Sequence, residues 1–228
     1  MLGTTFRRHD FPQKPGTGVP GTTFYDQRMH VVAWQVFQVR EQADRAEALS
    51  LGRAACRAAL ARAADLWRER WGATPWHDAA FTHDDHGAPL LDAPHAPRIS
   101  LCHTRGLAGC AIAAPDHPWV GIDAERAEAP GLRAVRELSE RTGESNLPWP
   151  DNTWPARLWC AKEAVVKAER RAADMLGRTL TVESLHPEPA ALQLTVLSHQ
   201  GRRFHVRTAL QDGFITASVQ GLAHRSQE

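Results

Sequence analysis

Two acidic residues stand two positions apart in the segment GIDAE, residues 121–125. If this segment is a strand, Asp123 and Glu125 face the same side, while Ile122 and Ala124 face the core. Two adjacent carboxylates repel each other unless a cation lies between them. Because both offer only oxygen ligands, Mg²⁺ suits them best, with Mn²⁺ as the alternative. The same pair also fits an ordinary solvated strand edge with two surface acids.

A second pattern is the segment WCAKEAVVK, residues 159–167. On a helix, Glu163 and Lys167 lie four positions apart and share one face. Glu163 would then supply a third carboxylate for the cation, and Lys167 an ammonium group for a phosphate. The alternative is a surface ion pair, which contributes only about 0.3–0.5 kcal/mol. The 27 basic residues include only three lysines, Lys14, Lys162 and Lys167, which favours a specific task for a lysine here.

The elements that would position these groups are predicted from the spacing of apolar residues. Long helices are expected over residues 45–71 and 156–175, and a shorter helix over 132–144. Strands are expected over 31–37, 98–102, 107–114, 119–125, 192–197, 203–210 and 214–220, with a strand–turn–strand unit over 79–91. This order is typical of an α+β fold rather than a parallel βαβ sheet. The predicted divisions are an irregular lead-in over 1–29, an N-terminal α+β half over 30–117 and a C-terminal α+β half over 118–228.

The composition excludes several classes of protein. The 228 residues carry a net charge of +1, which argues against a nucleic-acid binder. No apolar run approaches the length of a membrane span, and the opening residues lack the apolar run of a secretory signal. The four cysteines are scattered without a C-x-x-C pair, which disfavours a disulfide framework or a structural zinc site. These features predict a reduced, cytoplasmic protein.

Together, the segments GIDAE and WCAKEAVVK resemble the paired motifs of the 4′-phosphopantetheinyl transferase superfamily. The family pattern is (V/I)G(I/V)D-x-E followed by (F/W)-(S/C/T)-x-K-E-(A/S)-x-x-K, and here Glu163 follows Glu125 by 38 residues. The length and the two similar halves resemble the single-chain Sfp type. The resemblance implies two pseudo-symmetric α+β halves, each a long helix packed on a small antiparallel sheet. It also implies a monomer whose site lies between the halves.

The resemblance further implies which residues are functional. The implied metal ligands are Asp123, Glu125 and Glu163. The implied catalytic residues are Glu163, Lys167 and His103. Coenzyme A is the implied substrate, and Mg²⁺ the implied cofactor.

The residues implied to bind coenzyme A come from three segments. One is the helix over 45–57, whose arginines resemble a basic family motif. Another is ISLCHT, residues 99–104, which is similar to the histidine-containing strand of the family. The third is the segment 159–167. The full set is Arg45, Arg53, Arg57, His103, Thr104, Lys162 and Lys167. The chain departs from the family pattern at Ala88, where a lysine is usual, and it lacks the G-x-G-L that usually follows Lys167.

The implied reaction moves the 4′-phosphopantetheine group of coenzyme A to a serine of an apo acyl or peptidyl carrier protein and releases adenosine 3′,5′-bisphosphate. Glu163 is the first candidate for accepting the serine proton. An apolar stripe with a basic rim between the two motifs would meet the carrier. Its residues are Arg126, Leu132, Arg133, Val135, Arg136, Leu138 and Arg141. Two alternatives are a catalytically weak relative that binds coenzyme A or a carrier, and a Mg²⁺-dependent phosphohydrolase.

Overall fold

The structure is a computed structural model that describes residues 22–25, 30–72, 76, 79–114, 117, 119–129, 131, 137, 140–170 and 179–222. The chain forms helices that pack on antiparallel sheets, so the predicted α+β class is confirmed. Among the described residues, no helix is both long and apolar enough to cross a membrane.

The first part of the chain forms one helix on a four-stranded antiparallel sheet. Its elements are β1 (Thr22–Tyr25), β2 (His30–Val36), α1 (Arg45–Trp71), β3 (Ala80–His83), β4 (Pro89–Asp92), β5 (Arg98–Thr104) and β6 (Leu107–Ala113). The sheet has the order β1-β2-β6-β5, and β3 and β4 form a separate hairpin. Helix α1 packs on β2, β5 and β6 through a row of small residues that includes Ala59 and Ala63.

The second part places a shorter helix on a five-stranded antiparallel sheet. Its elements are β7 (Ile122–Arg126), a 3₁₀ turn (Glu144–Asn146), α2 (Trp154–Ala168), β8 (Thr181–Glu188), β9 (Ala191–Leu197), β10 (Arg203–Gln211) and β11 (Phe214–Leu222). The strand order is β7-β11-β10-β9-β8. Helix α2 contacts β7, β9, β10 and β11, and the buried core of this part lies between them.

Helix α1 begins and ends at the predicted residues because both ends are capped. The Asp44 carboxylate accepts a hydrogen bond from the Glu47 amide at 2.8 Å, which satisfies a donor of the first turn. At the other end, Gly72 has a positive φ of 88° and its amide donates to the Arg68 carbonyl at 2.9 Å. The helix is therefore fixed by local sequence at both termini.

Helix α2 is shorter than predicted. It ends at Ala168, and Arg170 has a positive φ of 50°, which is incompatible with continuing the helix. Within the rest of the predicted segment, residues 171–175 lie outside the described residues. The predicted helix over 132–144 is described only in part: residues 132–136 and 138–139 lie outside the described residues, and residues 140–143 are not helical, so the prediction is wrong for that end. The positions of the implied carrier-docking surface that are not described are Leu132, Arg133, Val135, Arg136 and Leu138.

Two strands were not predicted. Strand β8 contains Pro187 and an irregular register between Val182 and Ser184, so its sequence shows no clean alternation. Proline is tolerated there because β8 is an edge strand. Strand β1 pairs with β2 inside the segment that was expected to be irregular. The other predicted strands are confirmed to within a few residues.

The two parts meet where β7 lies against β5 and β6. A third apolar cluster fills this junction and includes Trp34, Cys102, Ile122 and Ala124. The alternation along β7 buries Ile122 and Ala124 toward the first sheet, as the sequence predicts, and turns Asp123 toward Lys167 of α2. The junction brings β5, β7 and α2 together.

Candidate functional site

Gly121 allows β7 to lie directly against α2. A Cβ atom at this position would stand 1.9 Å from the Ala164 carbonyl oxygen and 2.8 Å from the Ala168 amide nitrogen. Both are backbone atoms and cannot swing away, so only glycine fits this close approach. The contact places Asp123, two residues further along the same face of β7, beside the α2 side chains that carry charge.

An ion pair joins the two predicted motifs. The Lys167 ammonium donates to Asp123 Oδ1 at 2.7 Å and to the Ile122 carbonyl at 3.2 Å. Burial alone would lower the pKa of Lys167, but the negative charge of Asp123 raises it above its usual range. Lys167 therefore carries a positive charge beside β7, and its side chain remains 30% exposed.

Glu163 belongs to the same cluster. Burial raises the pKa of this carboxyl above its ordinary value, the charge of Asp123 raises it further, and Lys167 partly offsets both effects. The repulsion shows that the carboxyl groups of Asp123 and Glu163 act on one another across the strand–helix contact. The sequence prediction that Asp123, Glu163 and Lys167 converge is consistent with this placement.

Glu125, the second acid on β7, is held by two donors. Its Oε1 atom accepts hydrogen bonds from the Thr104 hydroxyl at 2.8 Å and from the Arg126 amide at 2.7 Å. Thr104 is the last residue of β5, so this contact spans the junction between the two parts of the chain. Burial raises the pKa of the Cys160 thiol, and the charges of Asp123 and Glu125 raise it further.

His103 lies on β5, next to Thr104, and its ring rests on Gly52 of α1. A Cβ atom on Gly52 would stand 2.2 Å from His103 Cδ2, so the glycine makes room for the imidazole. Burial lowers the pKa of His103, and the positive charges of Lys167 and Arg53 lower it further, while Asp123 opposes them. The imidazole is therefore neutral at neutral pH and belongs to the same electrostatic neighbourhood as Lys167.

A groove of about 430 Å³ opens along α1. Its lining residues are Ala46, Leu49, Ser50, Arg53 and Arg57. Two of the three predicted arginines of this helix thus face one groove. Arg45, the third, is exposed at the first position of α1 and is not among the lining residues.

Lys162 does not join this cluster. Its ammonium is completely buried and donates to Glu144 Oε2 at 2.8 Å. The same carboxylate accepts from the amides of Arg141 and Val182, both at 2.6 Å. Burial lowers the pKa of Lys162 despite the Glu144 charge. The coenzyme A role implied for Lys162 therefore has no support from its surroundings, which make it part of a buried ion pair in the second core.

The β3–β4 turn, where Ala88 replaces the expected lysine, is contacted by an arginine from another part of the chain. Asp84 accepts hydrogen bonds from the amides of His86 and Ala88 at 3.0 and 2.8 Å. Arg170, just beyond α2, reaches the other oxygen of Asp84 at 3.4 Å. The turn is thus tied to the end of α2 by an arginine–aspartate contact.

The oxygen donors fit a hard divalent cation in chemistry, although the part of the chain that is described contains no preformed cluster of three metal-binding side chains. Asp123 and Glu163 repel one another, and Glu125 lies on the same face of β7 as Asp123. A cation that bridges these acids would relieve that repulsion. The donor set therefore suits Mg²⁺, provided that Lys167 shifts on Asp123.

Some residues of the site were not predicted from sequence. Ser100 accepts a hydrogen bond from the Ile122 amide at 3.1 Å and so ties β5 to β7. Gly52 could have been noticed in the sequence. A glycine inside an alanine-rich helix costs about 1 kcal/mol of helix stability, which suggests that another group packs against it. Glu144 gave no signal, since its partner Lys162 is 18 residues away.

Comparison with protein families gives one match. The family model of the 4′-phosphopantetheinyl transferase superfamily matches residues 120–219, which run from just before β7 into β11. This part of the chain, somewhat less than half of it, is therefore similar to that superfamily, and the likeness favours a transferase that acts on a phosphopantetheinyl group. A search of curated proteins found no match. The matched segment contains all three acids of the cluster.

Proposed function

We propose that this protein transfers the 4′-phosphopantetheine group of coenzyme A to a serine of an apo carrier protein, with Mg²⁺ as cofactor. The observation that carries the proposal is the ion pair of Asp123 and Lys167, which joins the two motifs, with the charges of both groups acting on Glu163 and His103. The superfamily match over the residues that supply the three acids supports the same chemistry.

The acids would hold the cation and the basic groups would hold the substrate phosphates. Asp123, Glu125 and Glu163 supply oxygen ligands, and a bound Mg²⁺ would neutralise charge on the pyrophosphate of coenzyme A. Lys167, once it leaves Asp123, can donate to a phosphate oxygen from the same edge. Neutral His103 can donate one ring N–H to those oxygens without adding charge.

The nucleotide end of coenzyme A would lie along the α1 groove. Arg53 and Arg57 line this groove, and among the described residues neither has an ion-pair partner. Two uncompensated guanidinium groups on one face suit a phosphate, since each can donate two parallel hydrogen bonds. Arg45 lies eight residues, or about two turns, before Arg53 and would contribute only long-range charge.

In the transfer step, the carrier serine oxygen forms a bond to the phosphorus atom next to pantetheine. The bond from that phosphorus to the bridging oxygen breaks, and adenosine 3′,5′-bisphosphate leaves with the electron pair. Glu163 accepts the serine proton, directly or through a water molecule. Its raised pKa makes it a better base than an ordinary glutamate.

The proposal also covers the arrangement of the two halves, the oligomeric state and the cellular compartment. Each part has a helix on an antiparallel sheet, which supports the Sfp-type arrangement of two pseudo-symmetric halves. Both parts of one chain contribute to the cluster, which supports a monomer. All four cysteines are free and buried, in keeping with a reducing cytoplasm. Arg126 and Arg141 flank the segment proposed to meet the carrier.

The direct test is intact-mass analysis of an apo carrier protein after incubation with this protein, coenzyme A and Mg²⁺. We expect a mass gain of one phosphopantetheine group, and EDTA should abolish it. Fatty-acid, polyketide and peptide-synthase carriers should be included, since all offer a similar serine. Bisphosphate release without any carrier would instead indicate a phosphohydrolase, and coenzyme A binding without transfer would indicate an inactive relative.

Asp123→Ala tests the site assignment. We expect a loss of about 100-fold or more in kcat/KM, the range for removing one electrostatic element from an active site. Glu183→Ala is the matched control, because Glu183 is an acid on β8, at the opposite edge of the sheet from β7, and pairs with Arg203 at 2.8 Å. Wild-type turnover in Asp123→Ala would refute the assignment.

A further inference from the structure

Strands β5 and β7 belong to different sheets but are tied together by two side-chain hydroxyls. The buried Ser100 accepts from the Ile122 amide at 3.1 Å, near the start of β7. Four residues further along β5, the Thr104 hydroxyl donates to Glu125 Oε1 at 2.8 Å. The second contact differs from the first because it ends on a functional carboxylate rather than on backbone.

Glu125 is consequently held in one orientation. Thr104 and the Arg126 amide both donate to Oε1, so a single oxygen receives both hydrogen bonds. Among the described residues, no donor reaches Oε2, which is left available as a ligand. A free glutamate side chain loses about 1.5–2 kcal/mol of rotamer freedom when it is fixed. Because two donors already hold Glu125, its side chain loses less rotamer freedom when a cation binds.

We propose that Thr104 is a positioning residue, which orients Glu125 for a divalent cation, and that it does not itself contact coenzyme A. This inference rests on the proposed function, which makes Glu125 a metal ligand. It replaces the coenzyme A contact that the sequence resemblance implies for Thr104.

The hydrogen-bonding capacity of a hydroxyl separates the two roles. Threonine has one O–H donor, and here the Glu125 carboxylate receives it. The ionised phosphate groups of coenzyme A only accept hydrogen bonds. One hydroxyl proton cannot serve Glu125 and a phosphate at the same time, so a direct phosphate contact would require Glu125 to be released.

The test measures cation binding without coenzyme A, using Mn²⁺ alone as the probe and electron paramagnetic resonance to count free Mn²⁺. Thr104→Val keeps the shape of the side chain but removes the hydroxyl, and Thr104→Ser keeps the hydroxyl. We expect Thr104→Val to weaken Mn²⁺ binding about 10- to 100-fold, the usual effect of losing an outer-shell partner. Thr104→Ser should bind Mn²⁺ within about threefold of the wild type, since the donor remains.

Thr216→Val is the matched control. Thr216 is a half-buried threonine on β11 that pairs with Ala124, whose side chain faces away from Glu125. Its Mn²⁺ affinity should equal that of the wild type. Thermal unfolding of each variant checks the fold, and Thr104→Ala, which removes the same hydroxyl with a smaller side chain, serves if valine does not fit.

Two results would overturn the inference. One is unchanged Mn²⁺ affinity in Thr104→Val together with a raised KM for coenzyme A, which would make Thr104 a substrate contact. The other is no Mn²⁺ binding to the wild-type protein. If wild-type protein binds Mn²⁺ and Thr104→Val does not, but no carrier is modified, the positioning role stands and the proposed transfer reaction fails.

Discussion

For Lys162, the family resemblance implies a contact with coenzyme A, whereas the surroundings of the side chain imply a structural role. Its ammonium is fully buried against Glu144, which is only 1% exposed. Lys162→Met keeps the length of the side chain and removes the charge. We expect this change to destabilise the fold strongly and to leave coenzyme A binding by the folded protein unaffected.

The size of the effect follows from what remains around Glu144. Removing one partner of a buried ion pair costs about 3–5 kcal/mol, since the other charge stays in a medium of low polarity. Glu144 keeps two backbone donors at 2.6 Å, which favours the lower end, about 3 kcal/mol. With a urea m-value of about 3 kcal/mol/M, the unfolding midpoint should fall by about 1 M.

Urea unfolding followed by tryptophan fluorescence measures this shift. Arg203→Met is the matched control, because Arg203 pairs with Glu183 at the same 2.8 Å but on the exposed face of the sheet. It should cost less than about 1 kcal/mol. Combining Lys162→Met with Glu144→Gln should cost less than the sum of the two single changes, since each single change strands a charge.

The result that would refute this reasoning is an unchanged urea midpoint in Lys162→Met with a KM for coenzyme A raised about tenfold, equivalent to 1.4 kcal/mol of binding. The ammonium would then contact the substrate, as the resemblance implies, and the buried pair would be incidental. A large midpoint shift with an unchanged KM for coenzyme A establishes the structural role.

Three further predictions concern the packing and charge of the site. Gly121→Ala should destabilise the fold by about 1–3 kcal/mol or more, because its Cβ meets the backbone of α2, whereas Gly131→Ala, in open space, should not change the urea midpoint. Gly52→Ala should stabilise α1 by up to about 1 kcal/mol, since alanine is the better helix former. It should also lower kcat/KM by about 100-fold, because the new Cβ displaces the His103 ring. An unchanged kcat/KM would show that His103 takes no part in the reaction. Because phosphates raise the lowered pKa of His103, coenzyme A binding below the ordinary histidine value of 6.5 should take up protons. Calorimetry in two buffers of different ionisation enthalpy should detect more proton uptake by wild type than by His103→Gln, in which only the phosphates of coenzyme A still titrate.

Local patterns were sufficient to predict the elements that position the site. The bounds of α1 follow from a capping aspartate and a terminal glycine, both readable in the sequence. The face of β7 follows from alternation, and the Glu163–Lys167 stripe follows from helical spacing. These features depend on neighbours within a few residues, so one sequence carries the information.

The features that could not be predicted depend on partners distant in the chain. Lys162 directly precedes Glu163 in the same motif, but its side chain points to Glu144, to which its ammonium donates a hydrogen bond. The hydroxyl of Thr104 looks like any polar residue at a strand end until β7 is placed beside it. Strand β8 is recognisable only through pairing with β9, because Pro187 interrupts its pattern.

Charge balance connects the acidic and basic sides of the site. With all groups ionised, Asp123, Glu125 and Glu163 carry three negative charges and Lys167 returns one positive charge, so the cluster has the charge of two carboxylates. Burial and the charge of Asp123 raise the pKa of Glu163, and the ammonium of Lys167 offsets them only in part. A divalent cation would balance the remainder and release Lys167 from Asp123. The freed ammonium would then face the same side as neutral His103 and the arginines of α1, where an anion is favoured. Cation and phosphate binding should therefore reinforce each other at this junction.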